Sequence, residues 1–104
     1  MTRKLPFEKN QTADYILWGA GQIGKEIVRV MKEVFPGIKL QSVIDSYSCG
    51  KNFLGIPIEP PDAIIKKYMN TFLIIATYSG ERFVRDYLAE IGKSDFISFA
   101  SVNG

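Results

Sequence analysis

The chain has 104 residues and a formal net charge of +2, which is enough for one domain with a real core and too little for a complete two-lobed dehydrogenase. Its lysines and arginines are scattered among acids, so charge makes no case for nucleic acid or an anionic membrane as a partner. Without histidine, and with Cys49 as the lone cysteine, an internal disulfide is excluded and a zinc site is very hard to build.

No apolar stretch approaches the roughly 18 to 20 residues of a membrane span, and no signal-peptide core follows the first residues, so the cytoplasm is the expected location. The sequon Asn10-Gln11-Thr12 then has no secretory context. Residues 1 to 14 are polar and contain Pro6, and they read as a loose leader that packs only through Leu5 and Phe7. Residues 15 to 104 read as a single domain, a fragment of a larger protein.

From Tyr15 onward, short apolar runs alternate with helical patterns, the rhythm of parallel strands joined by crossover helices. Tyr15 to Trp18 predicts a buried strand. Ile23, Ile27, Val30, Met31, Val34 and Phe35 recur at helical spacing until Pro36-Gly37. Ile38 to Asp45 predicts a second strand and Cys49 to Gly55 a loop. Ile56-Pro57-Ile58 is expected at most as an edge strand, because proline cannot donate to a central ladder. Pro60-Pro61 leads into a helix carrying Ile64, Ile65, Tyr68 and Met69. Thr71 to Thr77 holds the most apolar run and is the predicted central strand. Ser79 is the expected cap of a third helix whose buried face carries Phe83, Val84, Tyr87, Leu88 and Ile91, with Gly92 as its end. Asp95 to Ser101 closes a mainly parallel sheet of about five strands in an α/β, three-layer αβα arrangement.

Within that frame, Gly19-Ala20-Gly21-Gln22-Ile23-Gly24 follows a strand and opens a helix, with Asp45 about twenty residues on, the layout of a nucleotide-binding fingerprint. Gly19 permits the tight turn, Gly21 lets backbone approach a pyrophosphate, and Gly24 lets the helix pack closely on the sheet. The helix N-terminus offers free N–H groups and the positive end of its dipole to a phosphate. Asp45, with Ser46 beside it, is placed to accept hydrogen bonds from ribose hydroxyls and to repel a 2′-phosphate, which favours NAD over NADP. Asp45 as a turn residue satisfied by nearby amides is the equal alternative.

Right-handed crossovers put the second strand on one side of the first and the Phe72 strand on the other. A switch point results, so the glycine turn, Asp45 and Thr77-Tyr78-Ser79-Gly80 should rim one crevice. Trp18 is expected to fill the core, with stacking on a base as the lesser alternative, and Lys51 and Asn52 could reach a phosphate or sugar from their loop, with a simply solvated loop as the favoured alternative. No catalytic residues are assigned: Cys49 has no base to activate it. Tyr47 and Lys51 share the spacing of a short-chain-dehydrogenase pair but lie in a loop, not on a long helix.

The runs Ile16 to Gly24, Val43-Ile44-Asp45, Phe53 to Ile58 and Phe72 to Ala76, with a helix ending at Ile91-Gly92, resemble small Rossmann-like domains of bacterial surface-polysaccharide enzymes. They are similar to the N-terminal domains of left-handed β-helix sugar acyltransferases and to NAD-like domains attached to sugar dehydratases, epimerases, glycosyltransferases and methyltransferases. The resemblance implies binding of NAD or a nucleotide-sugar, with catalysis supplied by a neighbouring domain. In the acyltransferases the glycine turn often holds a histidine; here Gln22-Ile23 stands there. The alternative is a scaffold or regulatory domain with a vestigial site.

Overall fold

The computed structural model of the protein describes residues 6–8 and 10–99. Its centre is β1 (Ala13–Trp18), whose last four residues are almost wholly excluded from solvent. Successive side chains of a strand point to opposite faces, and β1 uses both for packing. Tyr15 and Leu17 enter one core cluster with Ile27, Val28 and Met31 of α1 (Gln22–Val34). Ile16 and Trp18 enter a second cluster with Ile64 and Tyr68 of a short π-helix (Ile64–Tyr68) and with Val84 and Leu88 of α2 (Glu81–Glu90). A strand apolar on both faces must lie between two layers, and the result is the three-layer αβα arrangement expected.

The remaining strands are β2 (Ile38–Ile44), β3 (Asn52–Phe53), β4 (Ile56–Glu59), β5 (Phe72–Ile75) and β6 (Phe96–Ser98). They form one six-stranded sheet in the order β3-β4-β2-β1-β5-β6. All pairings are parallel except β3 with β4. β1 therefore sits between β2 and β5, so the chain turns to opposite sides after its first strand and the carboxyl ends of β1, β2 and β5 meet at a switch point.

Four local expectations change. The predicted loop at 49–55 contains β3, so β4 is not an edge strand: it has β2 on one side and β3 on the other. Pro57 is tolerated because the ladder is carried next door, where Ile58 N–H donates to the Lys51 carbonyl at 2.8 Å. The predicted helix after Pro60-Pro61 is only the short π-helix, with Ile65 exposed. Phe83 is 61% exposed, not on the buried face of its helix. The last strand ends at Ser98, and the predicted extension to Ser101 lies partly outside the described residues.

Ahead of β1, Phe7 is buried and meets Phe35 and Phe72 edge-on, with ring centroids 5.9 and 5.2 Å away. Leu5 lies outside the described residues.

Two polar clusters lock the second face. Lys93, 3% exposed, donates from Nζ to the carbonyls of Tyr68, Met69 and Thr71 at 3.1, 2.9 and 2.7 Å and to Asp95 Oδ1 at 2.6 Å. It thereby brings a donor to carbonyls where the π-helix ends and β5 begins, of which that of Tyr68 also accepts from Thr71 N–H at 3.1 Å. Glu59 accepts from Ser42 Oγ (2.9 Å), Tyr68 OH (2.7 Å) and Lys67 Nζ (2.9 Å). Burial pushes the Glu59 carboxyl up, but the hydrogen bonds from Tyr68, Lys67 and Ser42 outweigh it and hold the group below its ordinary value. Neither cluster is signalled by local periodicity, because both depend on partners from different elements.

Candidate functional site

Above the carboxyl ends of β1, β2 and β5 lies a crevice of about 820 Å³. Its floor is Trp18 and Ala76. One wall is Gly19 to Ile23, Asp45, Ser46 and Tyr47, and the other is Thr77 to Gly80 with Phe83 and Val84. Of the residues singled out from the sequence, the glycine turn, Asp45, Ser46 and the 77–80 turn are brought together here, whereas Gly24 lies beneath the first wall and Lys51 and Asn52 lie outside the crevice.

The three fingerprint glycines differ in why they are glycine. Gly19 has φ +125°, and a Cβ on it would lie 2.7 Å from the Ala76 carbonyl oxygen. Its N–H donates to the Ile44 carbonyl at 2.9 Å, tying the turn to β2. A Cβ on Gly24 would lie 2.7 Å from the Gly19 carbonyl oxygen and 3.0 Å from Leu17 Cδ2, so its absence lets α1 approach the sheet. Gly21 is different. Its backbone is extended, with φ −109° and ψ −159°, and a Cβ there would meet no protein atom within 4 Å. Neither strain nor packing within the described residues asks for glycine at that position.

Gly21 is also the N-cap of α1, and it supplies no side-chain cap. The first turn of α1 holds no acidic residue either. The first N–H groups of a helix have no partner inside it, so this end of α1 presents donors and a positive dipole to the crevice.

Asp45 faces the crevice and is hydrogen-bonded on both oxygens. Oδ2 accepts from Ala20 N–H at 3.2 Å, and Oδ1 accepts from Tyr47 N–H at 2.8 Å and Ser48 N–H at 3.2 Å. The carboxylate thus spans from β2 to the glycine turn and fixes its own loop. Both readings weighed for Asp45 meet in one geometry: it is a turn residue, and it lines the crevice. One amide of the fingerprint, that of Ala20, is occupied by it. Among the described residues, Asp45 is the one carboxylate or basic side chain lining the crevice, so an anion here would be held by backbone amides and not by a lysine or arginine.

The second wall departs from expectation at its cap. The N-cap of α2 is Gly80, not Ser79, and Gly80 N–H donates to Thr77 Oγ1 at 3.2 Å. Glu81 stands in the first turn of α2 and pairs with Arg85, so this helix end already carries a negative charge. Ser79 is exposed at the rim. Trp18 is 4% exposed and packs against Phe83 and Tyr87, with ring centroids 6.4 and 5.4 Å away, in keeping with its expected core role. Lys51 and Asn52 are held in the β3 hairpin and do not line the crevice.

The sequence pattern gave no sign of Tyr47, Ala76, Phe83 and Val84 as lining residues. Tyr47 is 96% exposed. Nothing in periodicity separates an aromatic on a crevice rim from one in a core, since both stand near apolar neighbours.

Among the described residues, no group of His, Cys, Asp and Glu is arranged to hold a metal ion. Cys49 is exposed and unbridged. Tyr47 and Lys51 are on a turn, not a helix. No helix among the described residues is long and apolar enough to cross a membrane.

No protein-family model and no curated protein matches the sequence. Solved structures do. RSP, a Rex-family repressor, aligns with a TM-score of 0.65 at 17% identity over 86% of this chain and 46% of that one. RSP in complex with beta-NADH aligns with a TM-score of 0.60 at 17% identity, over 85% of this chain and 45% of that one. RSP in complex with beta-NAD+ and operator DNA aligns with a TM-score of 0.60 at 17% identity, over 84% and 49%. These likenesses establish a Rossmann-like fold, and the chain spans about half the length of the repressor chains it matches.

They also correct one expectation. The scattered charge leads to the expectation of no nucleic-acid partner, yet a protein of this fold is solved with operator DNA. A net charge of +2 does not by itself exclude such a partner. The three repressor structures lend nothing to the expected setting of a surface-polysaccharide enzyme.

Proposed function

We propose that the chain is a nucleotide-binding module that takes an NAD-type dinucleotide and works as part of a longer protein. Gly21 carries the reading. It is a glycine in extended backbone that lines the crevice at the uncapped N-terminus of α1, where a Cβ would meet no atom of a remote residue within 4 Å. A diphosphate seated on the amides beyond Gly21 accounts for the glycine, the missing cap and the missing first-turn acid together. Asp45, aimed at the same turn, is the ribose acceptor, and its charge disfavours a 2′-phosphate. The complexes of RSP with beta-NADH and beta-NAD+ support the choice of ligand. A nucleotide-sugar and a carbohydrate-modifying parent enzyme rest on the motif resemblance alone.

The engagement of Asp45 with three backbone amides favours a second reading, a scaffold whose crevice no longer binds. A thermal-shift panel of NAD+, NADP+, UDP-glucose and S-adenosylmethionine separates the two. A ligand at 100 times its dissociation constant stabilises by about 2.7 kcal/mol. NAD+ is expected to stabilise and NADP+ to do so far less. Asp45→Asn, which keeps an acceptor for the loop amides, is expected to weaken NAD+ and narrow that difference. No response to any ligand decides for the scaffold.

A further inference from the structure

Alternation along β2 breaks at one residue. In its pairing with β1, Tyr15 stands opposite Leu40 and Ile16 opposite Ser42, so Gln41 has no counterpart. An extra residue in a strand reverses the face that every later side chain takes. Ahead of it, Ile38 and Leu40 pack with the cluster under α1; beyond it, Val43 does so, and Ile44 packs with the cluster under α2. Had the two-residue period run unbroken from Ile38, Asp45 would point to the α2 face, away from the glycine turn. The bulge puts Asp45 on the face of Val43, where its carboxylate meets the Ala20 amide.

The first residue after the extra one is Ser42. It is 1% exposed, and its Oγ donates to Glu59 Oε1 at 2.9 Å. The carbonyl of the same Glu59 accepts from the Asp45 amide at 3.2 Å. Glu59 thus holds β2 at two points, by its side chain at the bulge and by its backbone at Asp45. Only the phase that the bulge creates allows both. β4 pairs Glu59 with Ile44, which turns the Glu59 side chain to the α2 face, and in the other phase the Ser42 hydroxyl would be buried in the apolar α1 cluster without a partner.

We infer that Ser42 and Glu59 are positioning residues, which pin the bulge at Gln41 and so aim the Asp45 carboxylate into the crevice. The inference rests on the reading of Asp45 as the ribose acceptor and adds the device that points it there.

Ser42→Ala removes the pin and leaves Glu59 with Tyr68 and Lys67, so the carboxylate stays paired and the chain is expected to fold. Calorimetry of the full chain with NAD+, NADP+ and inorganic pyrophosphate reads the aim. NAD+ should bind the variant about tenfold more weakly and its preference over NADP+ should narrow, while pyrophosphate, which needs only the amides of α1, should bind both forms alike. Lys67→Gln loosens the same cluster at the other Glu59 oxygen and should change none of the three. Amide hydrogen exchange gives a readout that needs no ligand. Ala20, Tyr47 and Ser48, whose amides Asp45 holds, should exchange about tenfold faster in Ser42→Ala, with the amides at the amino end of β2 unchanged. Unaltered NAD+ affinity and preference in Ser42→Ala overturn the aiming role and leave the nucleotide reading intact. A parallel loss of pyrophosphate, or an equal loss in Lys67→Gln, overturns it in favour of general loosening. Failure of the wild-type chain to bind NAD+ overturns the nucleotide reading, and the three amides then decide the aiming by themselves: without acceleration in Ser42→Ala it falls too.

Discussion

The two ends of the sheet treat exposed backbone groups in opposite ways. At the amino end of β5, three carbonyls are sealed by the buried ammonium of Lys93, itself paired with Asp95. At the carboxyl end of β1, the first amides of α1 meet neither a capping side chain nor a first-turn acid. A buried charge costs several kcal/mol to desolvate unless it is well paired, yet the chain uses one to close a gap far from the crevice. Open donors at the crevice therefore contrast with the sealed carbonyls at the other end of the sheet, although Ser98 Oγ is also buried without a partner among the described residues. The contrast separates a region built for stability from one left available to a ligand.

Substitution at the sealed end should have the largest effect. Lys93→Met keeps much of the apolar stem and removes the ammonium from all three carbonyls, of which that of Tyr68 keeps the Thr71 N–H, and is expected to destabilise the fold by about 3 kcal/mol in chemical denaturation. A loss under about 1 kcal/mol would erase the proposed distinction between the two ends.

Between the ends, Tyr15 gives a pH test of the buried centre. Burial pushes its phenol from 10.0 up to about 12. A group that holds its proton more tightly when folded contributes stability that is complete below the unfolded value and is lost as pH rises through the folded one. The contribution of Tyr15 to stability should fall by about 2 kcal/mol between pH 10 and 12. Denaturation of Tyr15→Phe across that window should show a correspondingly flatter profile, and an unchanged slope would remove Tyr15 as its source.

The smallest effects sharpen the comparison inside the glycine turn itself. Gly19→Ala places a Cβ against the Ala76 carbonyl at positive φ and should cost about 2 kcal/mol. Gly21→Ala, at the N-cap of α1, should cost about 1 kcal/mol at most, less than Gly19→Ala, while weakening NAD+ binding at least tenfold. If Gly21→Ala destabilises as much as Gly19→Ala, that glycine serves the fold and its functional reading is lost.

Much of this organisation is legible before any coordinates. The four-residue run from Tyr15 to Trp18 is apolar without alternation, which only a strand covered on both faces can satisfy, and this fixes β1 at the centre. Glycine spacing after that strand and the acid at 45 locate the crevice, because turn, helix start and strand end are local features written within about twenty residues of one another. Pro57 misled about the edge because a two-residue β3 is too short to announce itself, and its pairing is decided by contacts across a hairpin. Ser79 misled about the cap because Thr77, two residues earlier, reaches the Gly80 amide.

The amino-acid order by itself determined the layers, the parallel sheet, the switch point and which backbone bend faces outward there, since each follows from periodicity, handedness and the absence of side chains at fixed positions. Only the tertiary structure decided that Gly21 is free of internal constraint while Gly19 and Gly24 are not, that Lys93 is buried and paired, and that Tyr78 and Phe83 share a wall. Those facts depend on distances between segments remote in the chain, and no local pattern encodes a distance across a fold.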